Sequence, residues 1–311
     1  MSGFIHRPVM EAEVVEALGP LPGGLIADGT VGGGGHAAAI LRCSAPTGRL
    51  VGCDRDAMAV EAATARLSEF TGRFEIRRGN YADMEEWIAP ESCDGVMLDL
   101  GVSSPQLDMA GRGFSFQQDG PLDMRQDQRQ ELTAAKLVNE AGADELADIF
   151  WQFGGEAQSR RIARAIVRDR QACQFQSTRQ LAGLVEKIAP RAGKKAHPAT
   201  RIFQALRMAV NDEIGSLKRG LEAAMTILKP GSRLVVITFH SVEDRVVKEF
   251  GRRLSRDYEA VGEVDVPELR RPRAPRLRWV SRKAIVPGAE ELSANPRSRS
   301  AQCRVMEKLR V

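Results

Sequence analysis

A run of glycines separates a short apolar segment from a helix-forming segment near the start of the chain. The apolar segment is 25–27 (LIA), the turn is 28–36 (DGTVGGGGH), and the helix-forming residues are 37–41 (AAAIL). Without Cβ atoms, such a turn can adopt positive φ and bring its backbone close to a ligand. A strand, a glycine-rich turn and a helix in this order predict a nucleotide-like ligand at the helix N-terminus.

Strand-like and helix-like patterns alternate through the first hundred residues. This alternation predicts a parallel sheet covered by helices on both faces, with ligands bound beyond the carboxyl ends of the strands. Asp54 and Asp99 each end an apolar run and are expected at that edge. The predicted strands are 25–28, 49–53, 74–78 and 94–99, and the predicted helices are 35–43, 56–70 and 83–88.

The alternation stops after the fourth strand. Residues 106–128 contain Phe, Leu and Met among glycines and polar residues, which indicates an ordered loop rather than a linker. Residues 131–213 show helical patterns and no strand pattern. A β-branched run at 233–239 indicates that the sheet resumes, and two antiparallel strands, near 279–282 and 303–306, are expected to close it.

These patterns predict an α/β fold with a Rossmann-like, doubly wound, mostly parallel sheet and an inserted helical domain. The chain of 311 residues is long enough for two domains. We expect residues 1–108 and 214–311 to form a discontinuous cofactor-binding domain. Residues 109–213 are expected to form the inserted, mainly helical substrate-recognition domain.

The acid that precedes the glycines bears on the identity of the cofactor. Gly32, Gly34 and Ala37 together with Asp54 also match the spacing of an NAD-binding fingerprint. However, Asp28 at the strand end would repel a pyrophosphate and would tolerate an ammonium group. The sequence therefore favours S-adenosylmethionine, with Asp28 as a partner of its ammonium group. An NAD-dependent oxidoreductase is the alternative.

Charge is distributed unevenly along the chain. Residues 1–159 hold 12 Lys/Arg against 25 Asp/Glu, 160–207 hold 12 against 2, and 268–310 hold 12 against 4. Two basic stretches on an otherwise acidic protein favour contact with a polyanion such as RNA. Within 160–207 only Asp169 and Glu186 are available to pair with the cations. Four of those cations recur at helical spacing and predict an RNA-facing helix surface: Arg160, Arg161, Arg164 and Arg168.

The cysteines and the N-terminal segment indicate the compartment. The five cysteines are scattered without any Cys-x-x-Cys pair, which argues against a disulfide framework and against a zinc site. We therefore expect no metal. Residues 1–10 lack the apolar core of a signal peptide, and no run is long enough to span a membrane. The sequence predicts a cytoplasmic protein that does not contact membranes.

Eight blocks of sequence are distinctive: 6–10 (HRPVM), 28–36, 99–106 (DLGVSSPQ), 111–116 (GRGFSF), 120–125 (GPLDMR), 197–207 (HPATRIFQALR), 211–213 (NDE) and 238–245 (TFHSVEDR). In these blocks the chain resembles the bacterial 16S rRNA (cytosine-N4)-methyltransferases of the RsmH/MraW family. The glycine-rich block is shared by many methyltransferases, whereas the blocks at 111–125, 197–207 and 240–245 are more specific. The resemblance extends over essentially the whole chain.

The resemblance implies a class I S-adenosylmethionine-dependent methyltransferase that modifies the N4 amine of one cytosine in the decoding region of small-subunit rRNA. It implies that Asp54 holds the ribose, that Tyr81 lies against the adenine, and that His36 contributes either its backbone or its imidazole. Tyr81 packing in the core and Asp99 forming only a turn are the alternatives. The expected cofactor-binding residues are Gly34, Gly35, His36, Asp54, Tyr81, Asp99 and Gln106.

Candidate catalytic residues follow the fourth and fifth strands. A cytosine amine is a poor nucleophile, so acceptors that bind its N–H groups would favour attack. Ser103, Ser104 and Pro105 are candidates for that role. His240 either accepts the proton lost after transfer or caps the helix that starts at Ser241, in which case water takes the proton.

DNA amino-methyltransferases carry an aromatic residue after the proline of the block that follows the fourth strand, and this chain does not. The candidates for stacking on the base are Phe114, Phe116 and Phe239.

Two further functions remain open at this stage. One is a non-catalytic RNA-binding ribosome-assembly factor that retains the cofactor site, and the other is the NAD-dependent oxidoreductase. The expected partner is 16S rRNA within the small ribosomal subunit, and the chain is expected to be a monomer or a homodimer.

Overall fold

The computed structural model describes residues 8–190, 197–260 and 265–310, so the first two residues of the block at 6–10 lie outside it. The chain forms two compact units. The first consists of Met1–Gly101 and Ile214–Val311, and the second of Val102–Glu213. The helical unit begins at Val102, directly after the fourth strand and its turn, whereas the sequence pattern predicts a start at 109.

The N-terminal part of the first unit alternates between helices and strands, as the sequence pattern predicts. Where a helix was expected at 83–88, the chain instead forms a short 3₁₀ helix, Tyr81–Glu86, which Asn80 caps. The elements are α1 (Glu11–Leu18), β1 (Leu25–Asp28), α2 (Gly35–Cys43), β2 (Arg49–Asp54), α3 (Ala57–Arg66), β3 (Phe74–Arg78) and β4 (Cys93–Asp99).

The helical unit contains six helices within its described residues. Its core is formed by Leu, Ile, Phe and Ala side chains that recur at helical spacing on the inner faces. The helices are α4 (Ser104–Asp108), α5 (Ala134–Glu140), α6 (Ala143–Gln152), α7 (Ser159–Asp169), α8 (Thr178–Ile188) and α9 (Ala199–Val210).

The loop at 106–128 is ordered, as its apolar residues predict. Leu122 and Met124 are buried in the core of the helical unit. Asn211, the C-cap residue of α9, holds the loop in place. Its Nδ2 donates to the Met124 carbonyl at 2.8 Å, and its Oδ1 accepts from the Gln126 N–H at 2.8 Å. The loop is therefore part of the packed unit.

The C-terminal part returns to the first unit and completes the sheet. Its elements are α10 (Glu213–Ile227), β5 (Leu228–Thr238), α11 (Ser241–Ser255), β6 (Tyr258–Ala260), β7 (Arg270–Pro272), β8 (Leu277–Trp279), α12 (Ala289–Ala294) and β9 (Gln302–Lys308). The strands β6 and β7 pair with each other in a separate small sheet.

The main sheet has seven strands in the order β3-β2-β1-β4-β5-β9-β8. The strands β1 to β5 are parallel, and β9 and β8 are antiparallel. This arrangement confirms the doubly wound, mostly parallel sheet and the two closing antiparallel strands.

Neighbouring residues of the central strands pack into different cores. Ala27 and Leu98 belong to one cluster, together with residues of α10 and α11, whereas Ile26 and Met97 belong to another, together with residues of α1 and α2. Successive side chains of a strand point to opposite faces, so both faces of the sheet are covered. None of the helices in the described ranges combines the length and apolar character needed to cross a membrane.

The strand β5 begins earlier than its sequence suggests. The β-branched run predicts a strand from residue 233, but β5 starts at Leu228 directly after α10. Gly231 has φ of 87°, and the pairing of β4 with β5 shifts register between Cys93 and Gly95. An irregularity at the glycine therefore allows one strand to contain both segments.

A buried ion pair joins β9 to α11, and its removal should destabilise the first unit. Arg304 Nε lies 2.5 Å from Asp244 Oδ1, and both side chains are buried. Burial raises the pKa of Asp244, but hydrogen bonds from Arg304 and Lys248 outweigh it and hold this pKa below its usual value. We expect Arg304→Met to lower the free energy of unfolding by about 3 kcal/mol, because it leaves a buried carboxylate with one cation fewer.

Urea unfolding followed by circular dichroism would measure this loss. The matched control is Arg278→Met on the adjacent strand β8, where the arginine side chain is 64% exposed and its guanidinium pairs with Glu307. An exposed pair contributes less than about 1 kcal/mol. Equal losses in the two variants would contradict the role assigned to the buried pair.

Candidate functional site

The glycine turn between β1 and α2 requires glycine at position 34. Gly34 has φ of 75°, and a Cβ there would lie 3.1 Å from the Cα of Ala63. α2 then begins at Gly35, and within the described residues no side chain caps it. A Cβ on Gly35 would press against the ring of Pro8 at 3.1 Å. The turn is therefore closely packed against Ala63 and Pro8, and the N-terminus of α2 can offer backbone N–H groups to a ligand.

Asp54 is held in place by two backbone N–H groups. Its Oδ2 accepts from Gly32 and its Oδ1 from Asp56, both at 2.9 Å. Burial raises the pKa of this carboxyl group, although the two hydrogen bonds lower it. Each oxygen keeps a second lone pair, so the oriented carboxylate can accept two hydroxyl groups of a diol.

Asp28 is buried at the end of β1. Its Oδ1 accepts a hydrogen bond from the Thr30 N–H at 3.0 Å. Burial, with a smaller contribution from the nearby Asp54 carboxylate, raises the pKa of Asp28 to about 7, although the Thr30 hydrogen bond lowers it. A cationic group placed beside Asp28 would stabilise its ionised form.

Asp99, at the end of β4, has an oxygen without a partner. Among the described residues no group forms a hydrogen bond to its buried Oδ1, and its Oδ2 lies 3.7 Å from His36 Nδ1. Burial raises the pKa of Asp99 well above its usual value, and the carboxylates of Asp28 and Glu243 raise it further. A buried acceptor without a donor is costly, so this atom indicates where the donor of a ligand fits.

The imidazole of His36 holds the segment before α1. Its Nε2 lies 2.8 Å from the carbonyl oxygen of Val9, and because a carbonyl only accepts, Nε2 carries the hydrogen. The side chain of His36 therefore has a structural role: one side of its buried ring fixes Val9, and the other side faces Asp99.

Tyr81 follows β3 and is fixed against α10. A Cβ on Gly220 would lie 2.3 Å from Tyr81 Cδ2, so the ring rests on the bare backbone of that helix. Next to it, Asn80 Nδ2 donates to Ser216 Oγ at 3.2 Å, and Arg55 also donates to this oxygen. Tyr81 is half-buried and packs at the edge of the core, so its ring has a fixed orientation.

His240 occupies the N-cap position of α11. Its Nδ1 accepts from the Glu243 N–H at 3.4 Å, and its Nε2 lies 2.9 Å from Glu243 Oε1. Glu243 in turn accepts from the His240 N–H at 3.3 Å, which completes a capping box, and from the Phe239 N–H at 2.9 Å. Both ring nitrogens therefore contact the buried Glu243, as the capping alternative of the sequence analysis predicts.

The remaining candidates lie in the helical unit, at the start of α4. Ser103 is the N-cap, and its N–H donates to Gln106 Oε1 at 3.1 Å. Ser104 and Gln106 are buried, whereas Pro105 is exposed. The amide oxygen of Gln106 is therefore used to cap the helix.

The three aromatic candidates for stacking on a base are all partly packed. Phe114 is buried, with the Arg112 guanidinium 5.8 Å from its ring centre. Phe116 packs against Phe203, with 4.9 Å between ring centroids. Phe239, in the first unit, packs against the core that includes α1 and α2.

One connecting residue was not identified from the sequence. Thr30 lies within the glycine block, and its N–H donates to Asp28 while its Oγ1 accepts from the Asp99 N–H at 2.6 Å. It thereby joins the ends of β1 and β4. The only sequence signal was a hydroxyl residue beside the glycines.

The fold and these groups together define a class I S-adenosylmethionine-dependent methyltransferase. The sheet order, the glycine turn after β1 and the carboxylates at the ends of β1, β2 and β4 are the defining features. The chain belongs to the MraW methylase family, whose model matches residues 3–309.

Curated relatives are similar over their full lengths. A protein named ribosomal RNA small subunit methyltransferase H from Geobacter sulfurreducens is 49% identical, with 98% of this chain and 99% of the relative covered. Proteins of the same name from Syntrophotalea carbinolica and Symbiobacterium thermophilum are 47% and 46% identical, covering 98% of this chain and 98% and 97% of their own lengths. An NAD-dependent oxidoreductase is not consistent with this family.

The raised pKa of Asp28 should make stability depend on pH. A carboxyl group with a higher pKa in the folded protein binds its proton more tightly there, so its contribution is lost as pH rises from the unfolded value of 3.8 to about 7. We expect Asp28→Asn to be more stable than the unaltered chain at pH 8, by up to about 4 kcal/mol. Near pH 4 the two should differ little.

Urea unfolding at pH 4 and pH 8 would measure both differences. Glu61→Gln on the exposed face of α3 is the matched control, because it removes a charge without affecting a buried carboxyl group. A gain from Asp28→Asn that is equal at the two pH values would contradict the prediction.

Proposed function

We propose that this chain transfers a methyl group from S-adenosylmethionine to the N4 amine of one cytosine in the decoding region of small-subunit rRNA. The observation that carries the proposal is the full-length similarity to relatives named as small-subunit rRNA methyltransferases. The choice of base and atom rests on the family resemblance of the blocks at 111–125, 197–207 and 238–245.

The residues at the strand ends fit the proposed cofactor. Asp54 would accept the ribose hydroxyls, and the buried acceptor of Asp99 would receive a donor from the adenine or methionine part. Asp28 would lie near the ammonium group, where a positive charge would favour its ionised form. Gly34 and Gly35 would contribute backbone, and the fixed ring of Tyr81 would lie against the adenine.

Further assignments in the site are supported by local geometry alone. His36 would position the glycine turn through its bond to Val9, and Gln106 would shape the site by holding the first turn of α4. The acidic strand ends also disfavour a pyrophosphate, which agrees with a cofactor without phosphate.

In this reaction the main tasks of the protein are to orient the amine and to accept hydrogen bonds from its N–H groups. When bound, S-adenosylmethionine supplies an electrophilic methyl group. The N4 lone pair of cytosine is delocalised into the ring, so acceptors for the amine hydrogens favour the geometry in which nitrogen can attack. The Ser103 and Ser104 hydroxyls and the Pro105 carbonyl are the acceptors that we propose.

The target base must be unstacked to reach such a site, because its amine is otherwise paired within a helix. Phe114, Phe116 and Phe239 are the proposed stacking partners. Phe116 and Phe239 are half-buried, which favours an edge or one face of each ring as the contact surface, whereas Phe114 is buried.

The amine loses a proton when the new bond forms, and water is the acceptor that we propose. The capping contacts of His240 support this assignment, because both of its ring nitrogens are directed at Glu243. A general base needs a lone pair directed at its substrate.

Two substitutions at His240 distinguish capping from proton transfer. We expect His240→Asn to retain the single-turnover rate of methyl transfer, because Asn is also a strong N-cap. His240→Ala should lower the free energy of unfolding by about 1 kcal/mol, with little change in the rate. If both variants lost about 100-fold or more in rate at unchanged cofactor affinity, His240 would be the proton acceptor instead.

The reaction itself is tested by tritiated methyl transfer to small ribosomal subunits from a strain that lacks the enzyme. We expect incorporation into the RNA, and nucleoside analysis of the digested RNA should identify N4-methylated cytosine. Cofactor binding without incorporation into subunits or naked rRNA would favour the non-catalytic assembly factor. Methylation of the subunit but not of naked RNA would identify the assembled particle as the substrate. A ribosomal substrate implies that the enzyme acts in the cytoplasm.

A further inference from the structure

An open groove of about 980 Å³ lies on the helical unit, between α6, α7 and α8. We refer to it as the α6–α8 groove. Its floor includes the small side chains of Ala147 and Ala165, which are almost fully buried. Its rim is formed mainly by cations and one aromatic ring: Trp151, Arg160, Arg161, Arg164, Arg168 and Lys187.

The amphipathic sequence of α7 explains why the rim is basic. Ile162 and Ile166 point into the core of the unit and are fully buried. Arg160, Arg164 and Arg168 follow one another at intervals of four residues and are exposed. Residues four apart lie on the same helix face, so these arginines form a row along the groove.

Most of this positive charge is not neutralised within the unit. Arg168 forms an ion pair with Asp169 at 2.7 Å. Arg160, Arg164 and Lys187 form no ion pair with any residue in the described parts of the chain. The only carboxylate among the described lining residues is Asp148. A polyanion is therefore the partner that this charge would attract.

Trp151 gives the groove an exposed aromatic ring in addition to its cations. It lies in the last turn of α6 and is 61% exposed, although neighbouring Phe150 is fully buried. Among the described residues, no ring or guanidinium stacks on its indole. A large exposed ring beside cations combines the two contacts that single-stranded nucleic acids use, namely stacking of a base and neutralisation of phosphates.

We infer that the α6–α8 groove binds an unpaired segment of RNA, with one base stacked on Trp151 and phosphates at Arg160, Arg164 and Lys187. This inference rests on the proposed function, because it assigns an additional contact to the same RNA substrate. An unpaired segment fits better than a duplex, whose bases are stacked on each other and offer no free face along the helix. A second copy of the chain fits poorly, since a symmetric interface would bring two basic rims together.

Binding to a fluorescein-labelled single-stranded RNA of about ten nucleotides tests the stacking contact. We expect Trp151→Ala to weaken binding by about 5- to 150-fold, and Trp151→Phe to weaken it less because a ring remains. RNA should quench the tryptophan emission of the unaltered chain, and this quenching should be largely lost in Trp151→Phe. A duplex RNA should bind less tightly and should not depend on Trp151.

The salt dependence of binding tests the phosphate contacts. The double variant Arg160→Ala/Arg164→Ala should reduce the slope of log affinity against log salt by about 1.4, since each phosphate contact to a single strand contributes about 0.7. Trp151→Ala should leave this slope unchanged. The matched control is Lys136→Ala/Arg179→Ala, which removes two exposed cations of the same unit outside the groove and should leave affinity and slope close to those of the unaltered chain.

The altered side chains are exposed, so circular dichroism should show the same fold in every variant. If the Trp151 and double-arginine variants bound the single strand with unchanged affinity and slope, the inference would be overturned. Equal losses in the Lys136/Arg179 control would also overturn it, because the attraction would then be a general property of the unit.

Methyl transfer to small subunits separates this inference from the proposed function. We expect the groove variants to raise KM for the subunits while kcat stays near its unaltered value, because none of the proposed amine acceptors, Ser103, Ser104 and Pro105, lines the groove. If the unaltered chain methylated subunits and the groove variants did so with the same KM, the proposed function would stand and the inference would fail. If the unaltered chain transferred no methyl group but still showed Trp151-dependent binding of RNA, the groove inference would stand and the proposed function would fail.

Discussion

Three carboxylates at the carboxyl ends of β1, β2 and β4 are the constraint on which the arrangement of the first unit depends. Asp28 is buried, and Asp54 and Asp99 are half-buried. Desolvation raises the pKa of each of them, and the charges of neighbouring carboxylates raise it further. Asp28 and Asp54 recover part of the cost through backbone N–H groups of the glycine block. Asp99 leaves one oxygen unpaired among the described residues. The site is therefore complementary to a ligand that carries a positive charge and hydrogen-bond donors.

Much of this arrangement could be predicted from the sequence, because it depends on local patterns. The helix α2 begins and ends where its Ala-rich run and glycine turn predict, and the acids fall at strand ends because apolar runs stop there. The position of Asp28 correctly favoured a cofactor without phosphate. His240 and Glu243 are spaced as a capping box, and that spacing was available as a signal for the capping alternative.

Other features depend on contacts between distant segments. The unpaired oxygen of Asp99 is visible only once β1 and α2 are placed beside β4. The contact between Tyr81 and Gly220 joins residues that are far apart in sequence. The early start of β5 likewise depends on a distant segment, because it follows from the pairing of β5 with β4. Trp151 lies in the run IFWQF, which resembles a core segment, so its exposure could not be predicted without the packing of α6.

The position of β9 in the sheet has a consequence for biosynthesis. Residues 302–308 form an interior strand between β5 and β8, although they follow all other strands of the sheet in the sequence. The sheet consequently keeps an open edge at β5 until these residues have been synthesised, with apolar residues such as Val235 and Ile237 lacking part of their cover. The helical unit, in contrast, is formed by the continuous segment 102–213, whose residues are synthesised earlier. Translation thus supplies every residue of the helical unit before the sheet that carries the strand-end carboxylates can be completed.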